Sequence, residues 1–327
     1  MIHSGGFTSN SRIGVIEALP WLVAIAAFFL LPDYLSLGAR ILIFVLFTLS
    51  LDLILGYAGI ITLGHSVFLG LGAYTAGIIS VKLGINDPFL QLAAGASVGV
   101  MFGFVTGAII LRTKNLTLLM LTLAISAITV EVANKASWLT GGADGLPGVQ
   151  VNPVFGLYEF DLWGKTAYLY CLVVLFVVWF FVRRLIYSPF GAMLTGIREN
   201  TARMHALGAP VYYRLLIVYT ISAGIAGIAG VLLTQVTQIA GLNSLGFELS
   251  GDVLVMLILG GVGRIYGAFI GPTVYLIAQD LLAKQFPEYW YFGVGILWML
   301  VVFFAPGGIL GLSDKIAARF SAGRRKS

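Results

Sequence analysis

Charge is scarce along this chain. Lys, Arg, Asp and Glu make up only 10% of 327 residues, while 59% are hydrophobic and the mean hydropathy is +0.98. Soluble domains carry about a quarter charged residues, so this composition excludes an ordinary water-soluble protein. Cysteine is scarcer still. Cys171 stands alone within an apolar run, which excludes an intrachain disulfide framework and a thiolate metal site. With three histidines and no paired carboxylates, the sequence shows no metal-ligand spacing, no nucleophile elbow and no acid–base pair of the kind a membrane-embedded enzyme needs. No Walker A sequence occurs, so nucleotide hydrolysis by that route is excluded for this chain. The net charge of +5 is not gathered into a soluble basic domain, which argues against nucleic acid as a partner.

What the chain does have is long apolar runs. A helix needs roughly 20 apolar residues to cross about 30 Å of hydrocarbon, and transmembrane barrels would show short alternating segments instead. The reading is all-α: a polytopic membrane helical bundle. Spans are expected at 16–31, 39–56, 67–83, 88–111, 116–134, 165–186, 214–234, 251–263, 268–283 and 289–305. Several joins are ambiguous, which gives eight to ten spans, the first retained rather than cleaved as a signal. With ten spans, three basic groups fall on one side: Arg112 with Lys114; Arg183, Arg184, Arg198, Arg203 and Arg214; and Lys315, Arg319, Arg324, Arg325 and Lys326. Excess Lys and Arg marks the cytoplasmic side. Both termini are then cytoplasmic, and 135–164 and 235–250 lie outside. The expected organisation is a membrane domain over 1–312 and a basic tail over 313–327.

Two segments carry more glycine than a plain span. One runs Gly56-Tyr-Ala-Gly-Ile-Ile-Thr-Leu-Gly-His-Ser-Val-Phe-Leu-Gly-Leu-Gly-Ala-Tyr, the other Gly260-Gly-Val-Gly-Arg-Ile-Tyr-Gly-Ala-Phe-Ile-Gly-Pro. They sit at corresponding places in the two halves, and paired Gly/Pro interruptions mark broken or re-entrant helices in a duplicated fold. Close helix packing through small residues is the alternative. Ionisable residues inside spans are costly and point to function. Asp52 lies in mid-span and must face the bundle interior, a wet cavity or a partner, or be protonated. His65 follows Gly64 at the interruption, where it either satisfies freed backbone groups or faces a pathway. Glu131, Asp252 and Asp280 lie near span ends.

A polar, basic island, 188–208, separates two apolar runs. Ser188-Pro189 opens it, Gly208 and Pro210 close it, and Leu194, Ile197, Met204 and Leu207 fall on one face at helical spacing, with Arg198, Glu199 and Arg203 largely elsewhere. A short amphipathic helix of this kind lies on a membrane surface or fills a groove on a soluble partner.

The first glycine-rich segment, extended through Thr75-Ala76, resembles the signature of permeases from branched-chain amino-acid ABC importers, specifically the LivM-type subunit. So do Thr140-Gly-Gly-Ala-Asp-Gly-Leu-Pro-Gly-Val, the island's Ser188-Pro-Phe-Gly, Ile197-Arg-Glu-Asn and Ala206-Leu-Gly, Ile221-Ser-Ala-Gly-Ile-Ala-Gly, the second glycine-rich segment, and Ala305-Pro-Gly-Gly-Ile-Leu-Gly-Leu. These matches are in order over residues 40–312. Three departures stand out: Asp52 where the family has an amide, Ile60-Ile-Thr where it has Gln-Leu-Ser, and no basic residue at Ala192 or Thr195.

The resemblance implies a permease, not an enzyme, in the bacterial cytoplasmic membrane. It needs no cofactor of its own, because ATP and Mg are used by partner ATPases. Its partners would be a second permease, expected to be a paralogue, two cytoplasmic P-loop ATPases, a substrate-binding protein on the outer side, and membrane lipid. A small amino acid, apolar or branched-chain, would pass along a pathway including Asp52, Thr62, Gly64, His65 and Ser66. The island would be the helix that couples to an ATPase through Pro189, Ile197, Arg198, Glu199, Asn200, Arg203, Leu207 and Gly208. Gly141, Gly142, Asp144 and Gly145 would form an external loop. An ion-coupled carrier or channel for a small polar solute is the alternative; it would use Asp52 and His65 to start a relay.

Overall fold

A computed structural model describes residues 15–154, 158–159, 164–289, 292–293, 295–296, 299 and 307–311. Most of the expected span at 289–305, and the tail at 313–327, lie outside the described residues. The chain forms α1 (Val15–Leu30), α2 (Leu35–Asp52), α3 (Ser66–Val81), α4 (Pro88–Ile110), α5 (Asn115–Lys135), the single turn α6 (Ser137–Thr140), α7 (Lys165–Ile186), α8 (Pro189–Glu199), α9 (Thr201–Ala206), α10 (Val211–Thr237), α11 (Phe247–Gly260) and α12 (Gly267–Gln285). The one sheet among the described residues is the two-residue pairing of β1 (Leu146–Pro147) with β2 (Ile239–Ala240), antiparallel. Five stretches, Pro32–Tyr57, Pro88–Ile110, Asn115–Lys135, Lys165–Ile186 and Val211–Thr237, are long and apolar enough to cross a membrane by length and composition. The expected spans agree with nine of these helices to within a few residues.

α10 is the axis of the bundle and packs most extensively on α4 and α3. The α4 contact follows from a stripe of small residues. Gly95, Gly99, Gly103 and Gly107 recur every four residues and so share one face. Gly95, Gly99 and Gly103 lie against Ala223, Gly224 and Gly227 of α10, and Gly107 lies against Leu216 and Tyr219. A Cβ on Gly99 would come 2.6 Å from the Ala223 carbonyl, and one on Gly227 would come 2.6 Å from the Gly95 carbonyl. Backbones therefore touch, as small residues in membrane helices allow. Gly72 on α3 meets the Gly227 carbonyl in the same way. On the other side, α2 packs on α7, with Trp179 buried and clasped by Trp21 at a ring separation of 5.2 Å.

Among the helices too short to cross alone are two that meet inside the bundle, α3 and α11. α3 has 16 residues and α11 has 14, about 24 and 21 Å at 1.5 Å per residue, against about 30 Å of hydrocarbon. Each is entered through irregular backbone. A π-helical turn over Leu53–Tyr57 ends the run of α2 and opens into non-helical residues 58–65. Residues 241–246 precede α11. The first glycine-rich segment is thus a true helix interruption, and the second is a non-helical turn, 261–266, between α11 and α12. Ser250, expected in an outer loop, sits instead in the first turn of α11 and is fully buried.

Candidate functional site

Irregular backbone inside an apolar bundle needs hydrogen-bond partners, and the buried polar side chains collect where α3 and α11 begin. Ser66 opens α3. Its backbone N–H donates to Ser250 Oγ at 2.8 Å, and its own hydroxyl donates to the Leu245 carbonyl at 3.1 Å. Ser126 of α5 donates to the same carbonyl at 3.1 Å, and Ser250 Oγ lies 2.8 Å from Ser66 Oγ. The first turns of two short helices therefore abut, and the N-terminal dipole of each favours negative charge there. Thr62 Oγ1 accepts from Gly64 N at 3.2 Å, and a Cβ on Gly64 would strike the Thr122 carbonyl of α5.

His65 is fully buried beside this junction. Its Nε2 lies 2.8 Å from Ser50 Oγ, and Ser50 donates its only proton to the Phe47 carbonyl at 2.6 Å. The Ser50 oxygen is thus the acceptor and His65 Nε2 the donor, a tautomer assigned from this bonding. The ring stacks on Phe47 at 5.3 Å and meets Phe68 edge-on. Of the residues expected on a pathway, Thr62, Gly64, His65 and Ser66 come together here, all buried. Asp52 does not join them.

Asp52 lies instead beneath the polar island. Its carboxylate Oδ1 accepts from Gly263 N at 2.7 Å, which joins the two glycine-rich segments: a Cβ on Gly56 would come 2.6 Å from Gly263 N. No hydrogen bond links Asp52 to His65 among the described residues. Above Asp52, the island is two helices rather than one. Ser188 caps α8 by accepting from Phe190 N at 3.2 Å, with Pro189 in the first turn, where a missing N–H costs nothing. Asn200 is extended (φ −156°) and accepts from Arg203 N at 2.9 Å, which starts α9. An Asn side chain that caps a new helix competes with continuation of the old one.

α8 turns Leu194 and Ile197 into the bundle, both buried. Arg214 of α10 stacks over Phe190 of α8 at 5.6 Å. Pro189, Glu199, Asn200, Arg203 and Gly208 face outward, and Leu207, expected on the packed face, is 74% exposed. At the opposite end, Gly141, Gly142 and Gly145 all adopt positive φ, where glycine alone is unstrained. They let the chain double back so that Gly145 lies on the Ala240 carbonyl of β2, while Asp144 is exposed.

Ser126, Ser222 and Ser250 were not singled out by the sequence, and neither was the α4 stripe. Ser222 donates to the Ser50 carbonyl at 2.5 Å, next to the π-helical turn. Their only sequence signal is a hydroxyl in an apolar run, which is too common to stand out.

An apolar bundle with interrupted short helices meeting inside it, and polar helices projecting from one end, is a multi-pass membrane protein of the transport class. The chain belongs to the family described as branched-chain amino acid transport system / permease component, whose model matches residues 34–303. It is similar to the high-affinity branched-chain amino acid transport system permease protein LivM of Salmonella typhimurium, with 25% identity over 330 residues, covering 94% of this chain and 77% of that protein. The LivM protein of Escherichia coli is 25% identical over 333 residues with the same coverage. A probable LivM permease of Methanocaldococcus jannaschii is 25% identical over 306 residues, covering 80% of this chain and 89% of the relative. No solved structure matches.

Proposed function

We propose that this chain is a permease subunit of an ATP-binding-cassette importer that carries a small amino acid, branched-chain or similarly apolar, across the bacterial cytoplasmic membrane. The observation that carries this reading is the family match along nearly the whole bundle, to which the α8–α9 projection adds a place for a soluble partner to grip. In this reading the end bearing α8 and α9 is cytoplasmic, as are both termini, and the Gly141–Gly145 loop is external and shapes the docking of a substrate-binding protein. Two cytoplasmic ATPases supply ATP hydrolysis, and a second permease, a paralogue, completes the membrane part. Glu199, Asn200, Arg203, Leu207 and Gly208, with Pro189 at the helix start, present the outward surface to an ATPase. Buried Ile197 anchors that surface to the bundle. The substrate needs little fixed charge along its route. Its carboxylate suits the abutting N-termini of α3 and α11, and its ammonium suits backbone carbonyls freed by the helix interruptions.

The test is purification of the complex in mild detergent followed by uptake in proteoliposomes. Co-purification of two P-loop ATPases and a second permease, with uptake that requires ATP and the binding protein, is the expected result. A homo-oligomer without ATPase, whose uptake collapses with the proton gradient, would overturn it.

A further inference from the structure

Arg198 behaves unlike its neighbours on the island. Arg198 is exposed over much of its surface, as Glu199 and Arg203 are, but its guanidinium reaches back so that Nη1 donates to the Gly56 carbonyl. Its stem covers Gly59, where a Cβ would come 3.0 Å from Arg198 Cγ, and Nη1 lies 2.8 Å from where a Cβ on Gly263 would sit. Gly59 and Gly263 have φ of +74° and +77°, so both turns are shaped for glycine and leave the space this side chain fills. Gly263 N is in turn held by Asp52 Oδ1 at 2.7 Å. One side chain of α8 thus touches the turn that follows α2 and the turn between α11 and α12. Those turns lead to α3 and from α11, the two short helices whose first turns abut at Ser66 and Ser250.

We infer that Arg198 is the positioning residue that transmits movement of α8 to the two interrupted helices, with Gly56, Gly59, Gly263 and Asp52 as its receiving surface. This rests on the importer reading and adds to it a division of labour within the island: outward residues bind the ATPase, and Arg198 conveys the motion to the two turns. Lysine cannot replace it fully. A guanidinium offers several donors in a fixed plane, whereas an ammonium is a compact point charge on a flexible stem.

The experiment uses the whole complex reconstituted with its binding protein and compares wild type with Arg198→Ala, Arg198→Lys and Arg203→Ala. For Arg198→Ala, the ATPases stay bound to the complex. Substrate-driven stimulation and uptake both fall, by about 5- to 150-fold, the usual range of a coupling free energy. Arg198→Lys recovers part of the loss. Arg203→Ala weakens ATPase retention instead. Where Arg198→Ala does not accumulate, Arg198→Gln, which still offers an amide donor to the Gly56 carbonyl, supplies the same comparison. Uptake at wild-type level in the Arg198 variants overturns the inference, and so does loss of the ATPases from them, since Arg198 would then be a docking residue. Absence of ATPases from the wild-type complex overturns the importer reading itself.

Discussion

Replacing Ser250 with alanine isolates the junction of α3 and α11. The substitution removes the acceptor of the Ser66 N–H and the hydroxyl that contacts Ser66 Oγ, both at 2.8 Å. Ser66 is fully buried, so no water replaces the lost acceptor. A buried donor left unpaired costs about 1–3 kcal/mol. At 1.4 kcal/mol per factor of ten, that is about 5- to 150-fold in the population of the conformation in which the two helices abut. Ser126→Ala is the informative partner. It leaves the Ser66 N–H bonded to Ser250 Oγ and loses the Ser126 hydroxyl's bond to the Leu245 carbonyl, which Ser66 still donates to at 3.1 Å. Its expected cost is the net value of one hydrogen bond, about 0.5–1.5 kcal/mol. Unfolding of the purified protein in detergent gives the order, and amide exchange of peptides spanning 62–70 locates the effect. Ser250→Ala should be the more damaging of the two and should speed exchange at the start of α3. If Ser250→Ala is no worse than Ser126→Ala, or lies within about 0.5 kcal/mol of wild type as surface changes do, the junction is not held as described.

Other changes separate the remaining features. Asp52→Asn keeps an acceptor for Gly263 N and should preserve uptake, whereas Asp52→Ala orphans that N–H at about 1–3 kcal/mol and should lower both stability and uptake; an equal loss in both variants would show that charge, not the hydrogen bond, matters. Gly99→Ala, aimed at the Ala223 carbonyl from 2.6 Å, should destabilise by about 1–3 kcal/mol. Gly251→Ala on α11, with nothing within 4 Å, should be neutral or stabilise by about 0.5–1 kcal/mol; thermal midpoints moving the same way in both would refute the close α4–α10 approach. Lys135→Ala, which breaks an exposed pair with Glu131 at 3.1 Å, should change stability by less than about 1 kcal/mol.

The features that were legible in the sequence are those written in local runs. α7 matches its expected span of 165–186 because an uninterrupted apolar stretch ends at Arg183 and Arg184. The 56–65 interruption was legible because Gly56, Gly59 and Gly64 crowd into one would-be helix. Features that depend on a distant partner were not. Ser250 falls in the expected outer segment 235–250, yet its partner Ser66 lies 184 residues away. The α4 glycines stand four apart in plain view, but only the fold supplies the α10 backbone they admit. The island's second helix was missed because Asn200 acts as a cap only where the chain turns. Asp52 shows the same limit. Its cost in an apolar run was evident, but its partner, Gly263 N, is 211 residues on. The scarcity of charge follows from this arrangement. Interrupted helices need hydrogen-bond partners at their broken ends. Here serine and threonine hydroxyls and the Asp52 side chain supply them.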